Sequence, residues 1–314
     1  MKKIVFLDSD TLGSDISLEP ISSLGEFVKY PFTKPEDVFE RIRDCNVIIT
    51  NKVVIGKEQI DAAKNLELIC VAATGTNNVD IPYANIKGIP VKNAVGYSTE
   101  SVVQVTFTTL LSLVGKLPYF DNAVKSGKYS AGESFTDVSK VFWELKGKKM
   151  GIIGLGNIGS KVAAIAKAFG MEVKYYATSG IAHSKEYEAV ELKTLMAESD
   201  IISIHAPLNE RTNGLVGYDE LKLMKKSAYI LNMGRGGIIK EEELVKALNE
   251  GLIAGAAIDV YTKEPLPADS PYFKIEDMSK VILTPHIAWA SKEARKCLVE
   301  KIAENIGRTE LLHK

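Results

Sequence analysis

Short apolar runs alternate along this chain with stretches in which apolar residues recur every three or four positions, and the alternation sets out its elements. In the first third, the runs Ile4–Leu7, Val47–Thr50 and Leu68–Ala73, with a shorter one around Pro90–Val91, read as strands. Between them Pro35–Arg43, Lys57–Lys64 and Ile81–Lys87 read as helices. Strands and helices in this rhythm build a parallel sheet. Ser98-Thr-Glu-Ser101 then looks like a helix start, with a hydroxyl at the cap and Glu100 in the first turn. The helix that follows is apolar on most sides through Leu113 and should be buried, whereas residues 127–141 lack periodicity and read as a surface excursion.

The rhythm resumes at Met150–Ile153 with a helix directly after it. It continues through Val173–Tyr176, Leu192–Ala197, Ile201–His205, Asp219–Met224, Ala228–Asn232, Glu241–Asn249, Gly255–Val260 and Val281–Leu283. That is a second full set of parallel-strand units. Residues 291–312 carry apolar positions at 294, 298, 299, 302 and 306 and read as a last helix packing back on the body. Such a return makes the first domain discontinuous, so the expected division is residues 1–98 with 288–314, and residues 99–287.

A length of 314 residues suits about two domains. Hydrophobic residues at 46%, charged residues at 25% and a net charge of −1 are ordinary for a globular protein and give no polyanion-binding signal. Nucleic acid and membrane surfaces are therefore not expected partners. The most apolar long segment, residues 102–117, is too short to span a bilayer and is interrupted by Gln104, Thr106, Thr108, Thr109 and Lys116. At the N-terminus the apolar run stops at Asp8 after four residues, which reads as a strand rather than a leader. Cys45, Cys70 and Cys297 are odd in number and widely spaced, so neither a disulfide framework nor a zinc site is expected. A cytoplasmic, reduced, metal-free protein is the expectation.

Chemistry enters at Gly154-Leu-Gly-Asn-Ile-Gly159, which stands between the strand Met150–Ile153 and an amphipathic helix. In that context three glycines are a dinucleotide-binding turn: Gly154 for the tight turn, Gly156 for the approach of a pyrophosphate, Gly159 for close helix packing. The helix N-terminus adds free N–H groups for the phosphates. Thr74, Gly75 and Thr76 form another polar loop, at the end of the Leu68–Ala73 strand, where open α/β sheets bind ligands.

Arg235, Glu264 and His286 each follow an apolar strand of the second half, so all three should face the same carboxyl edge as the glycine turn. A guanidinium can hold a carboxylate bidentately. A carboxylate beside a histidine fixes its tautomer and favours its protonated form, making it a general acid near neutral pH. With a nicotinamide cofactor nearby, the set fits reduction of a 2-keto acid. Arg235 would grip the carboxylate and polarise the ketone, and His286 would give the proton.

Gly154-Leu-Gly-Asn-Ile-Gly159, His205-Ala-Pro207, Asn232-Met-Gly-Arg-Gly-Gly237, Asp259-Val with Glu264-Pro265, and Thr284-Pro-His286 resemble, in order and spacing, the D-isomer-specific 2-hydroxyacid dehydrogenases. The resemblance covers nearly the whole chain. Ala73-Thr-Gly-Thr-Asn-Asn-Val-Asp80, Gly96-Tyr-Ser-Thr-Glu-Ser101 and His286-Ile-Ala-Trp-Ala290 look most like the glycerate dehydrogenase (hydroxypyruvate reductase) branch. The resemblance implies an α/β protein of two Rossmann-like lobes with parallel sheets. One is a flavodoxin-like substrate lobe and the other a dinucleotide-binding lobe, with the active site in the cleft and a homodimer formed largely through the cofactor lobe. It gives Arg235, Glu264 and His286 the catalytic roles. To the cofactor it assigns Gly154, Gly156, Asn157, Ile158, Gly159, Ala177, Thr178, His205, Ala206, Pro207, Met233, Gly234, Asp259 and Ala288. Asn51, Thr74, Gly75 and Thr76, with Arg235 and His286, would bind a small 2-keto or 2-hydroxy acid.

One departure concerns the cofactor. Tyr175-Tyr-Ala-Thr-Ser-Gly180 has Ala177 where an NAD-selective enzyme would carry Asp or Glu for the ribose hydroxyls. Thr178 and Ser179 suit either a hydroxyl or a 2′-phosphate, and no Arg stands immediately there. The expectation is NAD, with NADP left open. Two competing readings are an NAD(H)-sensing binding protein of the co-repressor type, and another enzyme on the same fold such as a D-lactate or formate dehydrogenase. The set Arg235, Glu264 and His286 counts against the first and against formate, which needs no proton donor to a ketone.

Overall fold

The computed structural model describes the backbone of residues 1–311 and side chains as far as Arg308; Leu312 of the expected last helix, with residues 313–314, lies outside the described residues. The chain divides into two units, Met1–Ser98 with the stretch from Trp289 onward, and Thr99–Ala288.

In the first unit five parallel strands, β1 (Lys3–Phe6), β2 (Glu26–Lys29), β3 (Val47–Thr50), β4 (Leu68–Val71) and β5 (Val91–Asn93), lie in the order β2-β1-β3-β4-β5. That is the flavodoxin-like order. Central strands buried on both faces need apolar residues at every position rather than at every other one. Accordingly Ile4, Phe6, Val47, Ile49, Leu68 and Cys70 face one layer, where Leu298, Val299, Ile302 and Ile306 of the helix Lys292–Leu311 complete the core. Val5, Leu7, Ile48, Ile69 and Val71 face the other layer, against Val38, Ile42, Ile60 and Ala84. The edge strand β2 escapes a reading of the pattern, because only Phe27 and Val28 of its four residues are even half-buried.

The second unit holds β6 (Lys149–Ile153), β7 (Glu172–Tyr176), β8 (Glu188–Ala189), β9 (Ile201–Ile204), β10 (Tyr229–Asn232), β11 (Gly255–Ile258) and β12 (Val281–Leu283). All pair in parallel, in the order β12-β11-β10-β9-β6-β7-β8. The helices Thr99–Val114 and Asn157–Ala168 cover one face, with Val102, Val103, Phe107, Leu110, Val162 and Ala166 against Met150, Ile152 and Leu231. Leu195, Leu221, Leu244 and Leu248 of three further helices cover the other. Two elements were not expected: β8, whose two residues are both exposed, and the helix Leu117–Lys125, which restarts after Lys116 at φ 53° with Pro118 in its first turn. Residues 127–144 carry no helix or strand. Ala288, expected with the first domain, belongs to the second unit. The carboxylate of Asp259 accepts its N–H, and its carbonyl accepts from Ser101 Oγ.

Among the described residues no single helix is long and apolar enough to cross a membrane, and no group of three or more His, Cys, Asp or Glu could hold a metal ion. In each sheet the strand order reverses once, between β1 and β3 in the first and between β6 and β9 in the second. The carboxyl edge at such a reversal is where α/β sheets bind ligands.

Candidate active site

β6 ends at Ile153 between β7 and β9, and Gly154 follows with φ +91°, its N–H donating to the Tyr176 carbonyl at 3.2 Å. A Cβ on Gly154 would stand 2.9 Å from the backbone N and Cα of Ala206, just past β9. One on Gly159 would overlap the carbonyl oxygen of Gly154. Packing therefore demands both glycines. Around Gly156, the residue that caps the helix Asn157–Ala168, the space within 4 Å of a Cβ is open. The N–H groups of Asn157, Ile158 and Gly159 in the first turn have no acceptors within the helix. An open space facing free N–H groups and the positive end of a 12-residue helix fits a pyrophosphate. The residues present thus suit a dinucleotide.

Ala177 and Thr178 come directly after β7 and are half-buried. His183 Nε2 bonds the Leu155 carbonyl at 2.9 Å, which folds the segment after β7 back beside the glycine turn. Tyr175 Oη supports that fold by accepting the N–H of His183 at 3.1 Å and of Ser184 at 3.2 Å.

Across the reversal, the N–H of His205 donates to the Ile153 carbonyl at 2.9 Å, tying the end of β9 to the start of the glycine turn. His205 Nε2 bonds Ser203 Oγ at 2.8 Å, whereas its Nδ1 is sealed from solvent and finds no partner among the described residues. Burial pushes this imidazole down to about 3, so it is neutral at physiological pH. Ala206 is buried, and the carbonyl of Pro207 accepts from Thr212 Oγ1 at 2.6 Å. Met233 is buried after β10. Asn232 then pins the next loop at both ends, accepting the Gly234 N–H at 3.1 Å and donating to the Arg235 carbonyl at 2.9 Å. Arg235 is half-buried, with Nη1 donating to the Gly234 carbonyl at 2.8 Å.

The adjoining strands β11 and β12 deliver the other two groups. His286 Nδ1 meets Glu264 Oε2 at 2.7 Å, with the two side chains 23% and 26% exposed. The second oxygen of Glu264 accepts the Tyr261 N–H at 3.0 Å, so the carboxylate cannot turn away from the imidazole without losing a bond. His286 itself sits at φ 54°, a left-handed conformation that costs a non-glycine residue about 1–2 kcal/mol. Asp259 supplies the compensation. Its buried carboxylate accepts Thr284 Oγ1 at 2.6 Å and the N–H groups of Ile287 and Ala288 at 2.9 Å each, bracketing the strained residue. Burial pushes the Asp259 carboxyl above the usual carboxylate range, and these three hydrogen bonds oppose the push. The oxygens of Asp259 thus lie beneath the His286 loop.

Gly236 is a position the motif reading passed over. A Cβ there would overlap the Tyr261 carbonyl, so the Arg235 loop lies directly on the loop that leads to Glu264. With the carboxylate on Nδ1, Nε2 is the ring nitrogen left to face a ligand, and the Arg235 guanidinium is of a kind that can bind a carboxylate.

In the first unit Asn51 follows β3 and is buried, its N–H held by Asp8 Oδ1 at 2.9 Å. Asp8 also accepts the N–H groups of Lys52 at 2.6 Å and Val53 at 3.2 Å. It is 3% exposed, and that burial pushes its carboxyl above the usual range against the pull of these bonds. Nothing local marks Asp8, whose partners lie 43 to 45 residues away. Thr74 is fixed to the end of β5 through Oγ1 to the Ala94 carbonyl at 3.0 Å and through its own carbonyl to Asn93 Nδ2 at 2.6 Å. The N–H groups of Gly75 and Thr76 find no acceptor among the described residues.

Taken together, these features define an α/β enzyme built around a dinucleotide turn. Residues 107–288 match the family model of the D-isomer specific 2-hydroxyacid dehydrogenase, NAD binding domain. The chain is 37% identical over 310 residues to a hydroxypyruvate reductase of Blautia hydrogenotrophica, covering 97% of this chain and 95% of that one. It is 34% identical over 309 residues to a glycerate dehydrogenase of Methylorubrum extorquens, with the same two coverages. Among solved structures it is similar to an NADPH-dependent glyoxylate/hydroxypyruvate reductase from Sinorhizobium meliloti, solved with NADP and malonate. That match has a TM-score of 0.83 and 25% identity, and covers 98% of this chain and 92% of that one. The chain belongs to the D-isomer-specific 2-hydroxyacid dehydrogenase family. It is an oxidoreductase of 2-hydroxy acids with an NAD-binding domain.

Proposed function

We propose that this enzyme reduces hydroxypyruvate to D-glycerate, with glyoxylate as a second substrate. The observation that carries the reading is the 2.7 Å contact between His286 Nδ1 and Glu264 Oε2, next to the Arg235 loop. When bound, the nicotinamide cofactor supplies the hydride for the ketone carbon. Arg235 binds the substrate carboxylate and polarises the ketone. Glu264 holds the imidazole with a proton at Nε2, and His286 gives that proton to the ketone oxygen, the whole step consuming one keto acid, one reduced cofactor and one proton. Positioned acid catalysis of this type is worth about 10²–10⁴ in rate. Asn51, Thr74, Gly75 and Thr76 we assign to the substrate carboxylate, a role that the unengaged N–H groups of Gly75 and Thr76 support.

The choice of hydroxypyruvate rests on the relatives from Blautia and Methylorubrum, and that of glyoxylate on the Sinorhizobium enzyme. A homodimer belongs to the same proposal. Leu117, Val124, Phe135, Val138, Val141 and Phe142 of the second unit are all more than half exposed, a concentration of apolar surface that a partner would cover. Light scattering on the purified protein tests the dimer. Initial rates with hydroxypyruvate, glyoxylate, pyruvate and 2-ketobutyrate in parallel test the substrate. Hydroxypyruvate is expected to be fastest; no turnover with any of the four, despite tight cofactor binding, would sink the reading in favour of a sensor.

A further inference from the structure

The residues after β7 form a turn, Ala177-Thr-Ser-Gly180, closed by the Gly180 N–H donating to the Ala177 carbonyl at 2.9 Å. Closing the turn that way leaves its two central N–H groups, of Thr178 and Ser179, with no acceptor among the described residues. The hydroxyl of the half-buried Thr178 is likewise unbonded there. Against this turn lies a residue from 32 positions further along. Arg211, on the loop past β9, donates through Nη1 to the Ser179 carbonyl, and the same nitrogen stands 3.2 Å from where a Gly180 Cβ would be. Arg41 and Arg295 are each paired with an aspartate, but Arg211 makes no ion pair among the described residues, not even with its neighbour Glu210. Four of its five N–H groups remain to be used. No acid stands at Ala177. Because His183 binds the turn's own segment to the Leu155 carbonyl, this cluster of donors lies beside the pyrophosphate cradle.

We propose that Thr178, Ser179 and Arg211 seat the 2′-phosphate of a phosphorylated dinucleotide, and that the chain binds NADP(H) in preference to NAD(H). The inference rests on the reading of the glycine turn as the dinucleotide site. A phosphate replaces the missing ribose-binding acid: its oxygens accept from the two turn N–H groups, the Thr178 hydroxyl and the guanidinium, whose planar fork matches phosphate bidentately.

Dissociation constants of NADPH and NADH, measured by titration calorimetry on the full-length protein and on Arg211→Ala, test this without turnover. The wild type should bind NADPH about 10-fold or more tightly than NADH. Arg211→Ala should weaken NADPH by about 10- to 100-fold, the range of one charge-assisted bidentate contact, while NADH changes less than about twofold. The NADPH affinity of the wild type should also fall more steeply with salt than that of the variant. As a second variant, Ala177→Asp places an acid in the seat and should reverse the preference towards NADH. Equal, tight binding of both cofactors by the wild type overturns the phosphate seat and leaves the dinucleotide turn standing. An equal loss of NADPH and NADH in Arg211→Ala also overturns it. Failure of the wild type to bind either cofactor overturns the seat and the turn together.

Discussion

The two sheets reverse strand order in the same way and treat the resulting edge oppositely. In the second unit, the edge between β6 and β9 is lined by Gly154, Gly156 and the neutral His205, and its N–H groups are left for an outside anion. In the first unit, the edge between β1 and β3 is already filled by the Asp8 carboxylate, which takes the N–H groups of Asn51, Lys52 and Val53. Topology supplies a binding edge twice, and side chains decide which one can receive a phosphate. A carboxylate held at the first edge would repel one.

If the reaction belongs to the second edge, His286→Ala should cut turnover by about 10²–10⁴ while cofactor affinity stays within about twofold. Unchanged turnover would take His286 out of the mechanism. Giving the second edge the acid of the first should be nearly as severe. Gly156→Asp fits the open space, and the like charge beside the pyrophosphate should weaken cofactor binding by about 10²–10³ with the melting temperature little changed. A variant that still binds at wild-type strength would mean that the cradle lies elsewhere.

At the first edge, Asp8→Ala strips three backbone N–H groups of their acceptor and should cost about 2–3 kcal/mol by denaturant unfolding. A loss under 0.5 kcal/mol, on the order of an ordinary surface change, would show that water substitutes for the carboxylate. The last effect concerns acid. His205 titrates lower in the folded chain, at about 3, than its ordinary 6.5, so between those values the unfolded chain binds more protons. Stability should therefore fall as pH drops from about 6.5 towards 3, by no more than about 1.4 kcal/mol per pH unit for one proton. His205→Asn should flatten that slope, and an unchanged slope would assign the acid sensitivity to other groups.

What could be read from the sequence follows the range of the interactions. The glycine turn is legible because Ile152, Gly154 and Gly159 constrain one another within a few positions. Arg235, Glu264 and His286 are legible because each follows an apolar run that announces a strand end. Asp8, Gly236 and Arg211 are not, since their partners at Asn51, Tyr261 and Ser179 lie some 25 to 43 positions off and carry no mark of their own. The missing acid at Ala177 was visible, but the guanidinium beside it needed three dimensions. Among elements, β2 and β8 are short edge strands whose exposure leaves no alternation to detect.

The discontinuity of the first unit has a consequence for the order in which the protein can be made. Leu298, Val299, Ile302 and Ile306 complete a core that Ile4, Phe6 and Val47 begin. Between them lies the whole of Thr99–Ala288, roughly 10–40 s of ribosomal elongation at 5–20 residues per second. Throughout that interval one side of β1, β3 and β4 lacks the helix that will cover it, while the second unit is contiguous in sequence. The core that the first strands begin is therefore closed only after the whole of the second unit has been translated.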